Sequence, residues 1–305
     1  MKIHFDNVNF SSRSGPNTFA GRLATVLTER GHDIVKYNEP HDAVLVFIEP
    51  TRQWKRDIRV VQRLDGIWFK PNQFHTHNRL IKWAYDSCDA VVWQSRFDHD
   101  MTIHHWGTKD GVVISNGIDA DKFTVTNNRL KALRRDHEKI YVCSANWHRQ
   151  KRLKENIEAY DILSKNQENT CLIVMGSNPD YQTNRSDILY TNNIKHELCL
   201  QVYSMADAMI HLAWLDHCPN VVVEALSQNC PVICSSSGGT SELLGDGGFV
   251  VNELTPYEFE LLDYDNPFDL DLSVLENCNI EEIEVDKKNI CLQKTADEYE
   301  KILQG

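Results

Sequence analysis

The chain has 305 residues, 41% of them hydrophobic, and carries 44 Asp and Glu against 32 Lys and Arg, a formal net charge of −12. Its length and apolar content suit two domains of ordinary size better than one. No run is long enough to span a membrane, and nine scattered cysteines without a CxxC pair exclude a disulfide framework and a zinc site, so a cytoplasmic chain with no transmembrane segment is expected.

From the N-terminus, Ile3 to Val8 reads as a strand, Asn17 to Arg30 as a helix and Ile34 to Tyr37 as a second strand. Strand-like runs recur at Ala43 to Ile48, Val60 to Gln62, Ala90 to Trp93 and Val112 to Ile114, with helical spacing near Arg79 to Tyr85 and Arg96 to His105. Such alternation predicts a parallel sheet covered on both faces. Ser115-Asn116-Gly117 breaks the pattern and a charged stretch follows, placing a linker at 121–138 between a first lobe of 1–120 and a second of 139–286.

The second lobe repeats the cycle. Strands are predicted at Ile140 to Cys143, Cys171 to Met175, Ile188 to Tyr190, Ala208 to Leu212, Pro231 to Cys234 and Gly248 to Val251, with helices over Leu153 to Ser164, His196 to Met205 and residues 219–228. Residues 253–286 hold twelve Asp and Glu and no Lys or Arg, so the rest of the chain is formally neutral. Apolar residues interleave that stretch, which reads as a solvated face of packed elements, a disordered tail being the alternative. It points to no nucleic-acid partner. A closing helix at 287–305, able to pack back on the first lobe, completes the chain. The predicted class is α/β, two Rossmann-like doubly wound domains facing each other across a cleft, with ligands expected at the carboxyl ends of the strands.

The segment Asp216-His217-Cys218-Pro219-Asn220-Val221-Val222-Val223-Glu224 follows a predicted strand and opens a helix. Pro219 suits a first helical turn, and the amides after it, with the helix dipole, form a ready anion site. Glu224 lies one turn past Asn220 on the same face, where it could accept bonds from sugar hydroxyls beside a bound phosphate. Phosphate plus ribose is one reading, and an ordinary strand-to-helix connection with a solvent-facing Glu is the other. Gly238 and Gly239, in Ser235 to Glu242, allow either close backbone approach to a ligand or a plain turn. Gly176, Ser177 and Ile194 lie at strand ends, and Gly15 and Asp65 follow strands of the first lobe. His75-x-His77 and His104-His105 pair with no Cys, Asp or Glu cluster, so no metal site is expected. Arg52, Lys55, Arg56, Arg59 and Arg63 form a basic run, read as a solvated face or a lure for an anionic acceptor.

These segments resemble glycosyltransferase family 4 over nearly the whole chain, above all between residues 140 and 250. The family's two acidic residues with seven between them match Asp216 and Glu224, although the first is usually Glu. The resemblance implies the GT-B architecture, Glu224 on the nucleotide ribose, Asp216 near the transferred sugar, and Cys218, Pro219, Asn220 and Val221 beside the diphosphate. It also implies a diphosphate clamp in Ser144 to Leu153, where Lys151 matches the family Lys and Asn146 stands in place of the family Arg. Arg149 or Arg152 is a candidate replacement for that cation; a solvated basic loop is the alternative. Pro16 replaces the second of a glycine pair usual after the first strand, and no His occupies the family position near Asp65.

The expected activity is that of a metal-independent, retaining hexosyltransferase. It would move a sugar from a UDP- or GDP-linked donor, GDP-mannose among the candidates, to a hydroxyl of a glycan, glycolipid or other acceptor. Lys151, Asp216 and Asp65 would be catalytic, and the leaving phosphate oxygen would take the acceptor proton, so no dedicated base is required, unlike in glycosidases. No cofactor is expected, and a homodimer is compatible with the reading. Two rivals stand: a nucleotide-sugar-binding protein with impaired catalysis, favoured by Asn146, Asp216 and Pro16, and a sugar-nucleotide epimerase of the same fold.

Overall fold

The computed structural model describes residues 1–12, 14–54, 57–119 and 123–305. Lys55 and Arg56 of the basic run, and residues 120–122 at the lobe boundary, lie outside the described residues. The chain divides into two compact units: the first comprises Met1–Asp119, Glu258–Asp263 and Ile290–Gly305, and the second Ala120–Tyr257 and Tyr264–Asn289.

The first unit contains β1 (Lys2–Asp6), α1 (Gly15–Glu29), β2 (Asp33–Val35), β3 (Ala43–Phe47), β4 (Arg59–Leu64), α2 (Phe74–His77), α3 (Arg79–Ser87), β5 (Ala90–Trp93), α4 (Arg96–Trp106) and β6 (Gly111–Val113). Its strands pair in the order β2-β1-β3-β4-β5-β6, every neighbour parallel. β3 reads Ala-Val-Leu-Val-Phe and is buried throughout, because a strand covered by helices on both faces has no polar side to offer. The helix α1 turns Phe19, Ala20, Leu23, Val26 and Leu27 into this core, spacing that gathers them on one face.

The second unit begins with α5 (Asn128–Asp136), which occupies much of the stretch expected to be a linker. Asn127 caps it by accepting the Arg129 and Leu130 amides. There follow β7 (Lys139–Ser144), α6 (Leu153–Ser164), β8 (Thr170–Met175), β9 (Ile188–Asn192), α7 (His196–Met205), β10 (Ala208–His211), α8 (Asn220–Ser227), β11 (Val232–Ser235), α9 (Thr240–Leu243) and β12 (Phe249–Val251). These strands also form a parallel sheet, in the order β12-β11-β10-β7-β8-β9. The acidic stretch folds onto this unit: Leu275 and Ile280 are buried in its core, with Leu270 and Leu272 packed against them. Glu253 departs from a solvated face and is buried in an ion pair.

The last helix, α10 (Leu292–Gln304), starts five residues after the expected 287. It adds Leu292, Ala296, Tyr299 and Leu303 to the first unit's core, with the Tyr299 ring 5.8 Å from that of Phe19. Arg30, just past α1, donates to Asp297 at 2.7 Å and to the Gln293 carbonyl at 2.9 Å. No described helix is long and apolar enough to cross a membrane.

Both sheets are doubly wound, as expected, but their strand orders reverse at different points. In the first unit the reversal lies between β1 and β3, and in the second between β7 and β10. Crossovers leave a doubly wound sheet in opposite directions at such a point, so the loops beyond the strand ends part there and open a crevice.

Candidate functional site

β7 and β10 are adjacent in the sheet, with Tyr141 opposite Ala208 and Val142 opposite Met209. Their carboxyl-end loops therefore emerge side by side. The first ends in one 3₁₀ turn, Arg149–Lys151, followed by Arg152 in left-handed backbone. The second turns at Leu215, whose φ of 55° is also left-handed. The two loops are tied by the Trp214 N–H to the Gln150 carbonyl at 2.9 Å and by Gln150 Nε2 to the Trp214 carbonyl at 2.8 Å. That tie sets Lys151 Nζ 2.5 Å from Asp216 Oδ2.

A left-handed leucine is strained by order of 1 kcal/mol or more and persists only when its surroundings hold it. Here the restraint comes from the loop after β11. The Leu215 N–H donates to the Ser237 carbonyl at 3.1 Å, and the Gly239 N–H to the Asp216 carbonyl at 2.7 Å. Gly238 has φ 117°, and a Cβ there would stand 2.7 Å from the Asp216 carbonyl oxygen. The close approach that this glycine permits is thus to the chain's own backbone beneath Asp216.

Asp216 Oδ2 also faces His211 Nε2 at 3.4 Å. Burial works to raise the pKa of this carboxyl, but Lys151 and His211 outweigh it and hold the group well below the usual carboxylate range. Burial pushes His211 down, so its ring is neutral near pH 7. An ionised carboxylate only accepts hydrogen bonds, which assigns the His211 proton to Nε2. The next residue, His217, is pushed down by burial to about 4. His148, on the other loop, is lowered by burial and then by Lys151.

The two arginines considered as replacements for the family cation are both engaged. Arg149 makes a bidentate pair with Glu155, at 2.8 and 2.6 Å. Arg152 is fully buried, 2.9 Å from Glu253, and donates to the carbonyls of Leu212 and Phe268. It is a bolt within the unit and not a cation facing a ligand, which removes it from the candidates. Asn146 makes a different link: its Oδ1 accepts from Ser177 Oγ at 2.8 Å and Asn178 Nδ2 at 3.0 Å, knitting the loops after β7 and β8. Gly176, at φ 107°, makes room there for the Ala145 carbonyl.

The helix α8 begins at Asn220, with Pro219 as its cap rather than inside its first turn. The Val222 and Val223 amides turn back to the Pro219 carbonyl at 3.0 and 3.2 Å. Cys218 is buried just before the helix, and Val221 follows in its first turn. Glu224 is buried, with Oε1 3.0 Å from Nε2 of His196, the first residue of α7 and two past the half-buried Ile194. A solvent-facing Glu224 is therefore not what the fold makes.

Gly15 and Asp65 belong to the first unit. Gly15 is the exposed first residue of α1, after β1, and Pro16 fits the same first turn. Asp65 follows β4 and pairs with the buried Arg63, which donates also to Asn116 Oδ1 at 2.8 Å and stands 4.6 Å over the Phe19 ring. Burial raises the Asp65 pKa against the pull of Arg63. Asn116, from the segment that breaks the strand and helix pattern before the expected linker, is itself buried in this network. Among the described residues, no three His, Cys, Asp or Glu side chains come together as a metal set.

Two residues at the site escaped the sequence reading, His211 and His196. For His211 a signal existed: a histidine closing the apolar run Ala-Met-Ile-His, where a buried polar group needs a partner. For His196 there was none, since its partner lies on another helix.

The model of the glycosyl transferases group 1 family matches residues 125–259, and that of Glycosyltransferase Family 4 matches residues 4–122. No curated protein matches the chain. Among solved structures, HepE from Anabaena, crystallised with UDP and glucose, is 14% identical over 100% of this chain and 99% of its own, with a TM-score of 0.68. Sucrose-phosphate synthase from Thermosynechococcus elongatus is 12% identical, covering 100% and 96%, at 0.65. WaaG, a glycosyltransferase involved in lipopolysaccharide biosynthesis, is 13% identical, covering 100% and 95%, at 0.61. At such identities the likeness is one of fold.

Proposed function

Because the chain belongs to the glycosyl transferases of group 1 and is a glycosyltransferase of GT-B fold, we propose that its second unit binds a nucleoside diphosphate sugar and that a retaining, metal-independent transfer follows. The observation that carries this reading is the meeting of Lys151 and Asp216 at the strand-order reversal between β7 and β10. The N-terminus of α8 opens from the same loop as Asp216, so the helix dipole would add to the Lys151 ammonium in holding a diphosphate bound there. Negative charge grows on that diphosphate as the glycosidic bond breaks, and preorganised donors stabilise it.

Glu224 would accept the ribose hydroxyls, exchanging His196 for the nucleotide, and Asp216 would meet the sugar. The acceptor hydroxyl, on a glycan, glycolipid or other molecule, would give its proton to the departing phosphate oxygen. The UDP and glucose held by HepE support a UDP-linked donor. Calorimetry against a panel of UDP-, GDP- and ADP-sugars tests the binding, and donor turnover with and without EDTA tests the metal-free claim. Saturable binding of one base class and turnover indifferent to EDTA are expected. Silence across the panel would defeat the donor site, and activity lost on chelation would defeat metal independence.

A protein that binds donor without transferring it is the second reading. One observation favours it: Arg149 and Arg152 are both paired, which leaves the loop's charge compensation to Lys151.

A further inference from the structure

We propose that His211 is the positioning residue of the site: it keeps Asp216 aimed at the donor sugar once the diphosphate has drawn Lys151 away. The inference rests on the donor site proposed above. Asp216 Oδ2 is held from two directions, by Lys151 Nζ at 2.5 Å and His211 Nε2 at 3.4 Å. The two partners differ in what a ligand can do to them. Lys151 is a flexible ammonium whose side chain is 21% exposed, and a diphosphate carries more negative charge than the single carboxylate it would replace. His211 is 4% exposed and closes β10, so its ring moves only with the strand.

The backbone beneath Asp216 is fixed as well. Leu215 is pinned to Ser237 and the Asp216 carbonyl to Gly239, so the remaining freedom is in the side-chain torsions of Asp216. A carboxylate that lost its lysine and had no second donor would swing within the crevice and meet the sugar in many orientations. The neutral ring supplies a fixed N–H at the needed place. A second cation there would instead compete with Lys151 for the carboxylate and with the sugar for space. His211 thus divides the labour: Lys151 goes with the phosphate, and Asp216 stays for the sugar.

The test reads binding, so the acceptor need not be known. Affinities for UDP and for UDP-glucose are measured on the full chain, on His211→Leu and on His211→Gln, whose amide N–H can replace Nε2–H. The wild-type chain should bind UDP-glucose tighter than UDP. His211→Leu should lose about tenfold on UDP-glucose, the lower range for a hydrogen bond to a charged group, while UDP affinity stays within about twofold. His211→Gln should recover most of the difference. Equal losses on UDP and UDP-glucose would reduce His211 to a structural part. Unchanged UDP-glucose affinity in His211→Leu, or wild-type affinities that do not distinguish the two ligands, would overturn the proposal while sparing the donor site. A wild-type chain silent to UDP-, GDP- and ADP-sugars alike would remove the donor reading and this inference together; where another base class binds, the same comparison is made with that nucleoside diphosphate and its sugar.

Discussion

Lys151 and Arg152 are neighbours in the chain, and each holds a carboxylate, yet the two pairs do opposite work. Arg152 and Glu253 are both 1% exposed, and the surrounding groups saturate them: Arg152 reaches two carbonyls, while Glu253 accepts from Ser236 Oγ at 2.5 Å and the Ser237 N–H at 2.9 Å. Lys151 and Asp216 are 21% and 17% exposed. The cause is local backbone. Left-handed Arg152 turns its side chain into the unit, whereas Lys151, closing the 3₁₀ turn before it, points to the crevice. A saturated, dry pair closes the loops over the sheet, and a half-wet pair is one a ligand can enter.

Breaking the dry pair gives the largest expected effect. Glu253→Ala strands a buried guanidinium and should cost about 3–5 kcal/mol in urea denaturation. A loss under about 1 kcal/mol would mean that water reaches Arg152 and that the contrast between the pairs is false. Breaking the wet pair should act on chemistry. Lys151→Ala should lower donor turnover by about 10²–10³, with stability changed by no more than about 1 kcal/mol because the pair is partly solvated. Turnover within about fivefold of wild type would hand the diphosphate to other groups.

The loops that carry both pairs were legible in the sequence because strand and helix patterns placed them at strand ends, and the likeness to a known family singled out Lys151, Asp216 and Glu224. What the pairs do was not legible. Arg149 and Arg152 looked interchangeable as cations, since a left-handed turn at one residue leaves no mark when that residue is not glycine. The meeting of Lys151 with Asp216 depends on β7 lying beside β10, which local periodicity does not specify. The 128–136 helix was masked by its charge: it has no buried residue, so no apolar stripe announced it, and only Asn127 gave a capping signal. Arg63 and Asp65 are two apart where β4 ends, a spacing that returns to the same face of a strand and offered a clue to their pairing.

Acid should separate the Asp216 loop from the rest by a smaller margin. His217 titrates at about 4 when folded, because burial disfavours its charged form, against an ordinary 6.5 when unfolded. Between those values the unfolded chain takes up a proton that the folded chain refuses, so stability is full above pH 6.5 and falls as pH drops toward 4. Asp216 adds slope only at the acid end of that window, where its unfolded carboxyl begins to take up a proton and the folded one stays ionised. Allowing for partial exposure, the loss attributable to His217 should be about 2 kcal/mol, read as the part of the pH dependence that His217→Gln abolishes. An unchanged slope in that variant would place the titrating groups elsewhere, with His148 and His211 next in line, since burial lowers both.

Arg149 stands between the two pairs and should show the smallest effect. Its contacts with Glu155 have good bidentate geometry, but the side chain is 44% exposed, and such pairs contribute little in water. Arg149→Ala should therefore cost no more than about 1 kcal/mol of stability and leave UDP-glucose affinity within about twofold. A loss of affinity of about tenfold with stability intact would show that Arg149 abandons Glu155 when the diphosphate arrives. The loop after β7 would then offer two exchangeable cations around one fixed bolt, and the missing family arginine would have been replaced three residues downstream of Asn146.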